Sequence, residues 1–137
     1  MKIAAGIVII CKSSGRILLG KRSDSLSWAL FGGTLEESET AYQCVKRELL
    51  EETGFVEGRE YRIPCTRAAH VKEMFNLKYY TYIGYSENEV NPVLNDEHVQ
   101  YAWYERGLLP ENMHFGVMES IHSMSVHRAI QKFSNKN

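Results

Sequence analysis

Residues Gly33–Phe55 read GTLEESETAYQCVKRELLEETGF, six glutamates gathered around a short helical pattern that ends in Arg47-Glu48-Leu49-Leu50-Glu51-Glu52. Thr40 followed three residues later by Gln43 fits a capping box and starts the helix there. Gly54 suits the left-handed turn that ends one. Between them Ala41, Cys44, Val45 and Leu49 follow i, i+3, i+4, i+8 spacing, an apolar stripe that faces a core while the acids face a cleft.

Glu48, Glu51 and Glu52 stand at i, i+3 and i+4, so they crowd one helix face and repel one another. A divalent cation relieves that repulsion. Carboxylate oxygens are the ligands that hard ions such as Mg²⁺ or Mn²⁺ prefer, above all when substrate phosphates complete the shell. Gly32-Gly33 lets a strand end turn sharply and brings bare backbone close to a metal or phosphate. The ordinary alternative for a helix rich in Glu, Lys and Arg is a solvated surface, but the flanking glycines and the fixed spacing favour metal and phosphoanhydride chemistry.

Gly33, five residues, Glu39, seven residues, Arg47, Glu48, apolar Leu49, Leu50, Glu51, Glu52, Thr53, Gly54 and apolar Phe55 together resemble the Nudix box at every defined position, over 23 of 137 residues. The resemblance implies a loop–helix–loop that binds metal and hydrolyses a nucleoside diphosphate linked to another group X. It also implies the fold, an α/β/α sandwich around a mixed β-sheet, with the whole chain, residues 1–137, as one domain. Arg47 and Glu39 take from it the role of partners that hold the metal ligands in place. A further metal-binding or base carboxylate is expected in the loop Leu94-Asn95-Asp96-Glu97-His98. Glu97 is the candidate, with Asp96 as its rival and a solvated loop acid as the alternative.

The rest of the chain agrees with one domain. Its length is enough to bury a sizeable core. Sixteen basic and seventeen acidic side chains give a formal net charge of −1, which argues against a nucleic-acid or membrane-surface partner held by bulk electrostatics. The expected partner is a small-molecule nucleotide, captured locally. Cys11, Cys44 and Cys65 lack CxxC or zinc-like spacing and read as reduced thiols, as in a cytoplasmic protein. Ile3–Cys11 faintly imitates a signal sequence but lacks a small-residue cleavage site and reads as a first strand. No stretch reaches the roughly 18 apolar residues of a membrane span.

Outward from the acidic helix, strands are expected at Ile3–Cys11, Arg16–Arg22, Trp28–Phe31, Glu60–Val71, Phe75–Tyr85 and His98–Tyr104. Pro64 marks an edge or bulge in the fourth of these. The fifth alternates, with Phe75, Leu77, Tyr79, Thr81, Ile83 and Tyr85 on one face and Asn76, Lys78, Tyr80 and Tyr82 on the other. Phe115–Phe133 carries helical spacing, as one long or two short helices. Arg22 could meet a substrate phosphate in bidentate fashion. Trp28, Phe75, Tyr80 and Tyr82 are candidates to stack on a base, although strand aromatics more often pack on their neighbours. The five histidines do not cluster.

In the mechanism the resemblance implies, magnesium ions held by Glu48, Glu51, Glu52, the Gly33 carbonyl and Glu97 neutralise the diphosphate and acidify a water. Either Glu48 or Glu97 accepts the proton, and Glu52 is expected to be a metal ligand. Sequence tags beyond the box bear on X. Pro64 comes too early for the ADP-ribose tag, Tyr79 too late for the dinucleoside polyphosphate tag, and the Pro-rich segment of NADH-type enzymes is missing. This tilts the reading to a nucleoside triphosphate cleaved to monophosphate and pyrophosphate. ADP-ribose, nucleotide sugars, and a module that senses nucleotides without hydrolysis are the alternatives.

Overall fold

The computed structural model describes residues 1–114 and 116–135. Its elements run β1 (Lys2–Cys11), β2 (Ile17–Arg22), β3 (Trp28–Ala29), β4 (Phe31–Thr34), α1 (Ala41–Thr53), β5 (His70–Met74), β6 (Leu77–Ser86), β7 (His98–Tyr104), α2 (Val117–Ile121) and α3 (Met124–Phe133). The apolar run of β1 is buried from Ala4 to Cys11, as expected for a central strand covered on both faces.

One edge of β1 pairs in parallel with β6 along its whole length, from Lys2↔Leu77 to Cys11↔Ser86. Its other edge is shared. The first half pairs antiparallel with β4, Ala4↔Thr34 through Ile7↔Phe31, and Ile10 pairs with Ile17 of β2. β2 then turns away to pair with β3 on the same side and with β7 on the other. The strand expected at Trp28–Phe31 is therefore two short strands, one bound to β2 and one to β1. They wedge the two long strands apart.

Two cores cover the mixed sheet, the α/β/α arrangement expected. On one face Cys44, Val45 and Leu49 of α1 pack against Ile7, Ile9, Leu18, Phe31 and Tyr82. On the other, Val117, Ile121, Val126 and Ala129 of α2 and α3 pack against Val8, Ile10, Leu19 and Ile83. The C-terminal helical pattern is two helices, because Ser123 caps a new one through the Val126 amide. Phe115, where that pattern was expected to start, lies outside the described residues. Glu60–Val71 departs from the expected strand. Apart from a bridge from Arg62 to Tyr85 and one from Tyr61 to Glu57 it is irregular up to His70, where the edge strand β5 begins. Pro64 cannot donate to a ladder, in keeping with the break. No helix among the described residues is long and apolar enough to cross a membrane.

The ends of α1 fall where local chemistry sets them. The Gln43 amide donates to Thr40 Oγ1 at 3.1 Å, and the Thr40 amide donates back to Gln43 Oε1 at 2.9 Å. Gly54 adopts φ 76° and donates its amide to the Leu50 carbonyl. Thr40→Ala should lower stability by about 1 kcal/mol, the usual contribution of such a cap. A urea titration checks this, and an unchanged midpoint would show that tertiary packing alone fixes the helix start.

Candidate active site

Where β1 and β2 diverge, a cleft of about 480 Å³ opens between the end of β4, α1, the β5–β6 hairpin and α2. Glu48 and Glu52 enter from α1 and Glu97 from the loop before β7. Their carboxylate oxygens lie within 4.8 Å of one another. Ser23 docks the Glu97 loop, its amide donating to the Glu97 carbonyl at 2.9 Å and its hydroxyl to the Asp96 carbonyl at 2.7 Å. Asn95 then fixes Glu97 locally, accepting from its amide at 3.0 Å. The next residue, His98, is buried with its ring 4.6 Å from that of Phe31.

Glu52 is 2% exposed and accepts a hydrogen bond from the Gly32 amide at 2.9 Å. Burial, then the charges of Glu48 and Glu97, push its pKa up to about 9. Glu48 is also raised, chiefly by burial, with Arg47 working against the shift. Arg47 grips Glu39 through Nε at 2.7 Å and Nη2 at 2.9 Å, and its Nη1 reaches Glu48 Oε1 at 3.0 Å and Glu51 Oε1 at 3.2 Å. Its hydrogen bonds hold the Glu39 carboxyl down at about 2. A further contact, to the Thr34 carbonyl at 3.3 Å, ties helix and loop together.

Gly33 supplies close approach. A Cβ there would stand 2.5 Å from Glu48 Oε1, so a side chain would evict the carboxylate. The Gly33 carbonyl accepts from the Cys44 thiol at 3.5 Å, and burial pushes that thiol up to about 12, which keeps it protonated as a donor. Three buried or converging carboxylates, bare backbone and no nitrogen or sulfur ligand among them make a donor set that fits a hard divalent cation such as Mg²⁺ or Mn²⁺.

Several expectations need correction. Glu51 does not join the other two acids. At about 100° per residue it lies some 60° to one side of Glu48 while Glu52 lies about 40° to the other, and its half-exposed carboxylate pairs with Arg47 outside the cleft. Trp28 is 7% exposed and sits in the core, edge-on to Tyr104 with centroids 5.3 Å apart, so it cannot stack on a ligand. Phe75 is 95% exposed in the β5–β6 turn with φ 55°, away from the cleft lining. Tyr80 and Tyr82 point to the α1 side, where Lys78 lies 5.3 Å from the Tyr80 ring and the Tyr42 ring lies 6.1 Å from that of Tyr82 at a tilt of 47°. Arg22 does line the cleft, but Asp24 holds its guanidinium at 3.0 and 2.9 Å, which leaves it only partly available.

Cleft residues missed by sequence reasoning include Lys2 of β1, Tyr79, Leu77, Met74 and Lys72 of the hairpin, and His114 and Ser120 on the α2 side. Strand alternation placed Tyr79 and Leu77 on a common face. It carried no signal that this face, and not that of Tyr80, lines the cleft.

The carboxylate shifts carry a sign. Glu52 keeps a proton in the folded chain at pH values where the unfolded chain has lost it, so its contribution to stability is present below the ordinary value of 4.5 and fades as pH rises toward about 9. Thermal melts in chelator should show the protein losing stability from pH 5 to pH 9. Glu52→Gln should flatten the trend, and an unchanged slope in that variant would refute it.

Comparison with known proteins agrees with the geometry. The family model described as NUDIX domain matches residues 1–122. A MutT-like protein of Streptomyces ambofaciens is 46% identical over 50 residues, 36% of this chain and 31% of that protein. An RNA pyrophosphohydrolase of Pasteurella multocida (strain Pm70) is 40% identical over 47 residues, 34% of this chain and 24% of that protein. The matched stretches thus span a third or less of these relatives. The solved structure of the E. coli dihydroneopterin triphosphate pyrophosphohydrolase superposes with a TM-score of 0.66 at 24% identity, over 96% of this chain and 93% of that one, a likeness of fold. Matched by the family model over most of its length, and carrying the box residues around the cleft described above, this chain belongs to the NUDIX domain family.

Proposed function

We propose that the protein is a metal-dependent hydrolase of nucleoside diphosphates linked to a group X, and that its preferred substrate is a nucleoside triphosphate cleaved to monophosphate and pyrophosphate. The observation that carries this reading is the convergence of Glu48, Glu52 and Glu97 within 4.8 Å at one end of a cleft of about 480 Å³, a size suited to a nucleotide. Magnesium or manganese held by Glu48, Glu52, Glu97 and the Gly33 carbonyl would neutralise the diphosphate and lower the pKa of a water. The chain's own groups do the rest. Glu48 is oriented by Arg47 through Oε1, and its Oε2 has no protein partner among the described residues. It or Glu97 takes the proton as water attacks phosphorus in line with the leaving oxygen. Arg22, at the same end, meets a non-bridging phosphate oxygen.

The absence of the ADP-ribose and dinucleoside polyphosphate tags supports a triphosphate, and the relatives named MutT-like protein and RNA pyrophosphohydrolase agree in direction. ADP-ribose or a nucleotide sugar is the second reading. A module that binds without turnover is the third, and retention of Glu48, Glu52 and Glu97 together argues against it. A panel of nucleoside triphosphates, ADP-ribose and nucleotide sugars, incubated with Mg²⁺ and resolved by chromatography, tests all three. Monophosphate and pyrophosphate from a triphosphate is the expected outcome, and binding without any product would overturn the hydrolase reading.

Activity should vanish in chelator and return with Mg²⁺ or Mn²⁺, with zinc a poor substitute for an all-oxygen site. Glu52→Gln should lower kcat by at least ~10²-fold while raising the melting temperature of the metal-free protein at neutral pH, since the cost of taking up a proton on the buried carboxyl is removed. A variant that loses both activity and stability would contradict that opposition. For Glu97→Gln, a loss of about 10²–10⁴ in kcat with near-normal substrate binding marks the base. Recovery at high Mg²⁺ marks a metal-positioning role instead, and an unchanged enzyme leaves Glu48 as the base.

A further inference from the structure

In the register of the sheet, Gly6 of β1 faces Gly32 of β4, so two adjacent positions beside the carboxylates carry no side chain. Tyr79, on the neighbouring strand β6 beside Ala4, uses that space. A Cβ built on Gly6 would overlap the Tyr79 hydroxyl and come 2.9 Å from its Cζ, which places the phenol directly over the Gly6 backbone. The Phe31 carbonyl lies 3.3 Å from the same Cβ position. The ring lines the cleft that contains Glu48, Glu52 and Glu97.

No protein hydrogen bond to the Tyr79 hydroxyl is made among the described residues. A phenol held in a protein wall normally has a partner for its O–H, and the open side here is the cleft. Burial, then the nearby Glu52 charge, raises its pKa, so it stays a neutral donor through the working range of such an enzyme. The two arginines beside the carboxylates already have partners. Arg22 is engaged by Asp24, and Arg47 is consumed by Glu39, Glu48 and Glu51. A phosphate chain bound over the three carboxylates would bring its oxygens to the Tyr79 hydroxyl, which lies over Gly6.

We propose that the Tyr79 hydroxyl is a substrate-binding group that donates a hydrogen bond to a phosphate oxygen, and that Gly6 is the residue that lets it reach. The ligand class rests on the hydrolase reading above. The test therefore uses two readouts, calorimetric binding of Mg²⁺–imidodiphosphate, which needs no turnover, and steady-state kinetics on the nucleotide panel.

Tyr79→Phe removes one oxygen and keeps the ring. Binding of Mg²⁺–imidodiphosphate should weaken about 10–100-fold, as for loss of a hydrogen bond to a charged group, with KM rising more than kcat falls and the metal-free melting temperature unchanged. Gly6→Ala, which displaces the ring, should weaken binding to a similar degree, and the double variant should be no worse than the poorer single one. Tyr80→Phe, one residue along on the opposite face, should bind as wild type. Wild-type binding and KM in Tyr79→Phe would overturn the proposal, as would an equal loss in Tyr80→Phe. A wild-type protein that binds Mg²⁺–imidodiphosphate but turns over no nucleotide would refute the hydrolase reading alone, and the Tyr79 comparison would still be decided by binding.

Discussion

The guanidinium of Arg47 is the interaction on which the site depends. It meets Glu39, Glu48, Glu51 and the Thr34 carbonyl at once, and so joins the first half of the loop, the helix and the end of β4 into one rigid piece. Two acids in the last turn of α1 oppose the helix dipole, and no basic residue lies in that turn to offset them. Glu48 and Glu52 add mutual repulsion and a desolvation cost. A helix end chosen for stability would not be built this way. The arginine absorbs part of that charge from the outer side and leaves the inner oxygens facing the cleft.

The sheet provides the other half of the arrangement. Because β3 and β4 are inserted between the diverging β1 and β2, the chain emerging from β4 meets the C-terminal half of α1 at an angle, with Gly32 donating its amide to Glu52 and Gly33 yielding to Glu48. The loop of Glu97 reaches the same point from β7 through Ser23, which follows β2. Carboxylates from segments 45 residues apart, Glu52 and Glu97, are thus gathered by two edges of one splayed opening. Charge alone would drive them apart.

What was legible in the sequence was local. The helix, its capping box, its terminal glycine and its apolar stripe follow from spacing within 23 residues, and the layered fold and the Arg47–Glu39 pairing follow from the resemblance that stretch carries. What was not legible depends on docking. Which face of β6 lines the cleft is decided by where α1 and α2 settle, so Tyr80 was favoured over its neighbour Tyr79. The stripe could show that Glu48, Glu51 and Glu52 are close, but the line between cleft and solvent falls between Glu51 and Glu52 only once α1 is packed. Trp28 is a strand aromatic whose facing the sequence leaves open, and in the structure its ring lies in the second core.

The parallel pairing of β1 with β6 also governs the order of events during synthesis. Every partner on that edge lies 75 residues further along the chain, from Lys2↔Leu77 to Cys11↔Ser86. Once made, β1 must therefore wait, strongly apolar and lacking one neighbour, until the hairpin that contains β6 has been made. The helix bearing Glu48 and Glu52 is complete well before that moment, and Glu97 follows after it. The capping box and the terminal glycine of α1 are local to the helix and complete before Glu97 has been translated, whereas a helix of this length draws most of its stability from the sheet it packs on.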